Sequence, residues 1–215
     1  MEKIIFHKET KTFHLYNEEI SYIMCVLENG HMGQLYYGKR IHDKPDFSYL
    51  VEKCGRPMTS YIFEGDRSFS LEHIRQEYPV YGTTDYRHPA IEIMQENGSN
   101  ISEFKYVGYE ILKGKPSLKG LPATYTESEE EAETLKIILK DSLTGAKLTL
   151  LYTIFSKGSA IARSAHICNE GEKVLHLQTM MSLNLSGLCV DAVIRSMGER
   201  TLYKRKNIGT GNHSN

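Results

Sequence analysis

Short runs of alternating apolar and polar residues, each closed by a tight turn, recur along this chain and confine it to antiparallel β-structure. "ISYIMCVL" runs into Asn29-Gly30 and "HMGQLYYG" follows. Asn-Gly takes the left-handed conformations of a two-residue hairpin easily, so the pair predicts one here. "AIEIMQE" runs into Asn97-Gly98 before "EFKYVGYEILK", which predicts a second. In "TLKIILKD", Leu135, Ile137 and Leu139 alternate with Lys136 and Lys140, and Ile138 breaks the polar face. "DSLTG" turns that run into "AKLTLLYTIF", where Leu148, Leu150, Tyr152 and Ile154 share one face. "SKGS" leads into "AIARSAHICN", and "NEGEK" into "VLHLQTMMSLNL"; "KTFHLY" is the earliest strand candidate. Strands joined so closely are expected to pair antiparallel, since parallel pairing needs a long crossover. The predicted fold is all-β, a large antiparallel β-sandwich occupying residues 1–215 as a single domain.

Three segments interrupt the rhythm. "SLEHIRQEYP" predicts one short helix near 70–77: Ser70 caps it, Leu71, Ile74 and Tyr78 share a face, and Pro79 ends it. Residues 40–69 read as a long irregular loop, a length that usually serves function or reaches a partner. "TESEEEAE", Thr126 to Glu133, reads as a solvated acidic turn rather than a catalytic carboxylate pair.

Charge and composition exclude several function classes. A formal net charge of −1 and a near-neutral pI give no electrostatic case for nucleic acid or an anionic membrane. No stretch approaches the roughly 18 apolar residues of a membrane span. The N-terminal "MEKIIFHKETKTF" carries charge where a signal peptide needs an apolar core, which predicts a cytoplasmic protein. Cys25, Cys54, Cys168 and Cys189 are scattered without a CxxC pair, and the nine histidines form no HxH or HExxH, so neither disulfides nor metal are expected. "GKPSLKG" lacks the spacing of a phosphate-binding loop, and no dinucleotide or GxSxG signature occurs, so no cofactor is expected.

The densest stretch is "QEYPVYGTTDYRHPA", Gln76 to Ala90. Asp85 and Arg87 lie on the same side of an extended segment and read as a structural ion pair fastening a connection. Tyr78, Tyr81 and Tyr86 fit either a sugar platform or, more commonly, the amphipathic cover of a sandwich edge. A glycosidase needs two carboxylates roughly 5–10 Å apart, and no sequence spacing here places such a pair.

Five ordered motifs carry a resemblance: "GHMGQLYYGKRI", "DRSFSLEHIRQEYPVYGTTDYRHPA", "GKPSLKGLPATY", "EEEAETLKIILKD" and "IARSA". Together, from about Phe13 to Leu185, they resemble the N-terminal domain of bacterial α-galactosidases of glycoside hydrolase family 36. The resemblance implies a β-supersandwich of the galactose-mutarotase-like kind, incomplete at its C-terminus, that packs on a (β/α)8 barrel. The barrel, absent from this sequence, carries both carboxylates for retaining hydrolysis of terminal α-galactosides such as melibiose and raffinose. It follows that α-galactoside is a substrate of the full-length enzyme only and that this chain is inactive alone. A free-standing carbohydrate-binding or assembly module is the alternative; a mutarotase-like epimerase would need positioned His and Glu groups, which the scattered histidines do not support.

The family is commonly homotetrameric, and a loop of this domain reaches a neighbouring active site. The matching run here is Gly55-Arg56-Pro57-Met58-Thr59, which keeps the family's Arg but not its acid or aromatic. The resemblance therefore marks Gly55, Arg56 and Met58 as substrate-contact positions, with a plain interface or surface loop equally open. A second departure spans about 186–198, where "SGLCVDAVIRSMGER" stands and the chain has no Trp at all. Met197-Gly198 is encoded ATG-GGN, which holds a Trp codon one base out of frame. We read the segment as locally frame-shifted, an expectation that the gene sequence decides.

Overall fold

In the computed structural model, residues 3–117 and 124–181 are described. They form ten strands: β1 (Ile4–His7), β2 (Thr12–Tyr16), β3 (Ile20–Val26), β4 (Met32–Lys39), β5 (Ile91–Gln95), β6 (Phe104–Lys113), β7 (Ala132–Asp141), β8 (Ala146–Phe155), β9 (Ile161–Asn169) and β10 (Leu175–Met180). Three antiparallel groups result, β1-β2-β3-β4, β6-β7-β8-β9 and the pair β10-β5.

Alternation explains the packing. Ile4, Phe13, Leu15, Tyr22 and Met24 from the first sheet meet Leu135, Ile137, Leu148, Leu150 and Tyr152 from the second in one continuous core, to which Ile91 and Ile93 of β5 belong. Each such side chain contributes about 1.5–3 kcal/mol by leaving water. The all-β sandwich read from the pattern is the fold observed.

β3 buries both its faces. Ile23 and Cys25 point away from the main core into a second cluster, where Leu27, Leu35, Phe47, Phe69, Leu71 and Ile74 cover them. The long connection after β4 is thus a cover for the outer face of the first sheet. This accounts for the nearly continuous apolar run in "ISYIMCVL": a strand covered on both sides needs no polar face.

Four local expectations are corrected. No helix forms near 70–77; Ser70 O accepts from Ile74 N at 3.1 Å and the turn stops there. The backbone of β4 captures the residues beyond the turn, with Gln34 N donating to Arg75 O at 2.9 Å and Glu77 N to Met32 O at 2.8 Å. Those bonds need extended backbone and compete directly with further helical turns. Asn97-Gly98 reverses the chain, with Gly98 at φ 81°, yet β5 and β6 do not pair. β5 takes β10 and β6 takes β7, because a turn fixes only a local reversal while the available apolar face fixes the partner. The turn after β9 likewise leaves β9 and β10 in different sheets. Finally, β1 has no counterpart among the predicted strands: its turn to β2 has no glycine, and Lys11 supplies the positive φ (48°) instead. The frame-shift reading of 186–198 and the "LKG" of "GKPSLKG" lie outside the described residues.

Candidate functional site

The connection from Phe69 to Ala90 carries the most ordered chemistry. At its centre Glu77 is wholly buried between the sheets. Tyr22 Oη of β3 donates to its carboxylate at 2.7 Å and Tyr152 Oη of β8 donates at 2.9 Å. Arg163 Nη2 of β9 lies 2.7 Å from Glu77 Oε1, and its guanidinium sits 4.8 Å from the centre of the Tyr152 ring. One carboxylate thus ties the connection to both sheets.

The electrostatics follow from burial. Burial raises the Glu77 carboxyl, against the pull of Arg163 and the two phenols. It also pushes Tyr22 and Tyr152 well above the ordinary phenol value, with the Glu77 charge adding to it, so both remain donors. For Arg163 burial acts downward, but Glu77 and the surrounding phenols more than reverse it, and the guanidinium stays charged. A carboxylate saturated in this way by donors has no free lone pair aimed at solvent and is unsuited to general base or nucleophile work.

The second ordered group is a hairpin over Gly82–Asp85, closed by Gly82 N donating to Asp85 O at 2.8 Å and Asp85 N to Gly82 O at 3.0 Å. Thr83 and Thr84 both have positive φ, 49° and 69°, an uncommon conformation for β-branched residues. Thr84 Oγ1 accepts from Leu71 N at 3.1 Å, which supports the second of them. Asp85 accepts from Arg87 Nε at 2.8 Å and Nη2 at 3.1 Å, and from Gln76 Nε2 at 2.7 Å. Arg87 Nη2 also donates to Leu71 O at 2.8 Å. Asp85 and Arg87 therefore meet, and do so around the turn at Leu71.

The three tyrosines of the stretch part company. Tyr78 is buried in the main core and donates from Oη to Met181 O at 2.6 Å. Tyr81 and Tyr86 stand outside as an edge-to-face pair, ring centres 5.4 Å apart. The loop positions Gly55, Arg56 and Met58 lie in solvent; Met58 has a positive φ of 61° and no part of its side chain is covered.

A further constellation has the connectivity of a hydrolytic triad. His14 Nε2 is 3.0 Å from Ser21 Oγ, and His14 Nδ1 is 2.7 Å from Asp43 Oδ1. Ser21 and His14 are completely buried, and Ser21 Oγ already accepts from Ile41 N at 3.1 Å. A nucleophile must reach an acyl carbon, and this hydroxyl has no open side. Among the described residues no group of His, Cys, Asp and Glu is arranged to hold a metal ion. An open recess of about 400 Å³ lies past the end of β6, with Lys113, Lys115, Glu127 and Glu129 on its walls, and none of the residues above lines it.

Comparison with known proteins decides what this scaffold is. The N-terminal domain of glycosyl hydrolase family 36 matches residues 30–190. The chain belongs to that family. It is 40% identical over 182 residues to the α-galactosidase AgaA of Geobacillus stearothermophilus, covering 85% of this chain and 25% of AgaA. The crystal structure of the Lactobacillus brevis α-galactosidase superposes with a TM-score of 0.80 at 36% identity, over 84% of this chain and 24% of that one. An AgaA variant crystallised with raffinose gives 0.76 at 42% identity, over 80% and 24%. The chain thus spans about a quarter of the length of the relatives it matches.

Within the family 36 domain, Glu77 and Arg163 belong to two of the motifs that carried the resemblance, "QEYP" and "IARSA", and the structure joins them. Neither was singled out from the sequence. A signal existed: Arg163 occupies an inward position in the row Ile161, Arg163, Ala165, Ile167, and a charge in an apolar row needs a buried partner. The Asp43 cluster had no such signal, because its members come from two strands and a loop.

Proposed function

We propose that this family 36 domain is the N-terminal sandwich of an α-galactosidase acting on terminal α-galactosides of the melibiose and raffinose type. The observation that carries the reading is the family match over residues 30–190 together with the quarter-length coverage of full α-galactosidases. The catalytic carboxylates belong to a barrel outside this sequence, and the sandwich acts as scaffold and oligomer contact in a homotetramer. Glu77 and Asp85, its best-ordered acids, are consumed by internal donors, which supports a structural role. The exposed run holding Gly55, Arg56 and Met58 is the part that reaches a neighbouring subunit's substrate, a reading supported by its projection into solvent. No helix among the described residues is long and apolar enough to cross a membrane. The free thiols Cys25, Cys54 and Cys168 support a reducing compartment, the cytoplasm.

The scaffold role is tested by a chimera in which this chain replaces the corresponding quarter of AgaA. Raffinose cleavage by the chimera is the expected result, with none by the 215-residue chain alone. A folded chimera without activity overturns the scaffold role; turnover by the isolated chain overturns the placement of the chemistry elsewhere.

A further inference from the structure

The loop over residues 40–69 leaves β4 and at once crosses the β1–β2 hairpin, where a compact set of polar contacts holds it. Ile41 N donates to Ser21 Oγ at 3.1 Å, and Thr10 Oγ1 donates to Pro45 O at 3.3 Å. Between these points Asp43 Oδ1 meets two imidazoles, His7 Nε2 at 2.9 Å and His14 Nδ1 at 2.7 Å. Phe47 follows, fully buried, with its ring 5.4 Å from His14 and 6.3 Å from His7. Asp43 itself is about one-third exposed, so the contact sits at the rim with water on one side.

The hydrogen-bond roles are fixed by elimination. Asp43 accepts, so His14 Nδ1 carries a proton; the neutral ring then offers Nε2 as acceptor to the Ser21 hydroxyl, which in turn accepts from Ile41 N. Every member is satisfied only while His14 is neutral and Asp43 ionised. A second proton on His14 turns Nε2 into a donor, and Ser21 Oγ then faces two donors while its own hydrogen loses its acceptor.

We propose that the Asp43–His7–His14 contact is a pH-sensitive latch: closed at neutral pH, it holds residues 40–50 on the β1–β2 hairpin, and mild acid releases them. The titratable and charged groups facing His14 are His7 from β1, Tyr16 from β2, and Asp43 and Arg40 from the loop, with Arg40 itself 5.3 Å over the Tyr16 ring. Burial holds the His14 imidazole below its ordinary value, with Asp43 opposing. Burial alone would raise the Asp43 carboxyl, but the bonds from His14 and His7 outweigh it and hold it low. Both signs agree. A histidine depressed in the closed state gains its proton in the open state first, so opening is favoured as pH falls below about 6.5, the ordinary imidazole value. A depressed carboxylate adds stability that is lost at still lower pH. The latch therefore loosens in one direction only, and residues 40–50 gain freedom without the sandwich unfolding.

Amide hydrogen exchange on the full chain tests this, with rates corrected for the intrinsic effect of pH. Protection of residues 40–50 is expected to fall about tenfold between pH 7 and pH 5 while β3 and β8 keep theirs. Asp43→Asn is expected to show the fast exchange of 40–50 already at pH 7 and to lose the pH dependence. Unchanged protection of 40–50 between the two pH values overturns the proposal, as does a loss that β8 shares in step. The wild-type series decides by itself should Asp43→Asn fold poorly.

Discussion

Two consecutive irregular stretches follow β4, and they solve the same problem in opposite ways. Residues 40–69 are mostly in solvent, with Phe47 the one fully buried side chain before Phe69, and a few rim contacts fasten them. Residues 70–90 are as irregular, yet Ser70, Leu71, Ile74, Gln76, Glu77, Tyr78, Val80 and Asp85 are buried. Irregular backbone inside a protein must find partners for its polar groups without a ladder. The second stretch does so through β4, where Gln34 N donates to Arg75 O and Glu77 N to Met32 O, and through Arg87, which donates to Leu71 O. Its two buried charges are also paired, Glu77 by donors from the two sheets and Asp85 by Gln76 and Arg87 of the same stretch. The first avoids the cost by staying wet. Irregularity and looseness are therefore separate properties here, and burial of paired charge distinguishes them.

The contrast yields graded expectations. Glu77→Ala should be the most damaging, because it leaves the buried Arg163 uncompensated; a loss of about 3–5 kcal/mol is expected in urea unfolding. A loss under about 1 kcal/mol would show that the connection is held by its apolar side chains alone. Asp85→Ala removes the charge that accepts from Arg87 and Gln76, and about 2–3 kcal/mol should go with it. Thr83→Asn works the other way. Asn tolerates positive φ better than a β-branched residue, so a gain of about 1 kcal/mol is expected in the melting midpoint series. Stability unchanged by that substitution would mean Thr83 carries no appreciable strain. Met58→Ala, on the exposed tip, should shift stability by less than about 0.5 kcal/mol in either direction. A larger change would mean the first stretch is packed more tightly than its exposure indicates.

Particular residues show how far the sequence could be read. Leu135, Ile137 and Leu139 against Leu148, Leu150 and Tyr152 gave their faces away by alternation, and the structure pairs Leu139 with Leu148 and Ile137 with Leu150. Asn29-Gly30 gave a true hairpin, whereas Asn97-Gly98 gave a turn whose two strands part. The difference lies beyond the turn, in β10 and β7, which compete for the flanking strands. Asp85 and Arg87 were readable as a pair because a single residue of extended chain, Tyr86, separates them. Glu77 and Arg163 were not, since they stand 86 positions apart and only folding closes that gap.

The amino-acid sequence by itself determined the class of fold and the family, because alternation, turn residues and ordered motifs are local features that survive without coordinates. Only the tertiary structure decided which strands share a sheet, why β3 is apolar on both sides, and where Glu77, Arg163, Asp43 and His14 find their partners. Those outcomes depend on contacts between distant segments, whose energies are set by burial and by the donors each charge meets there.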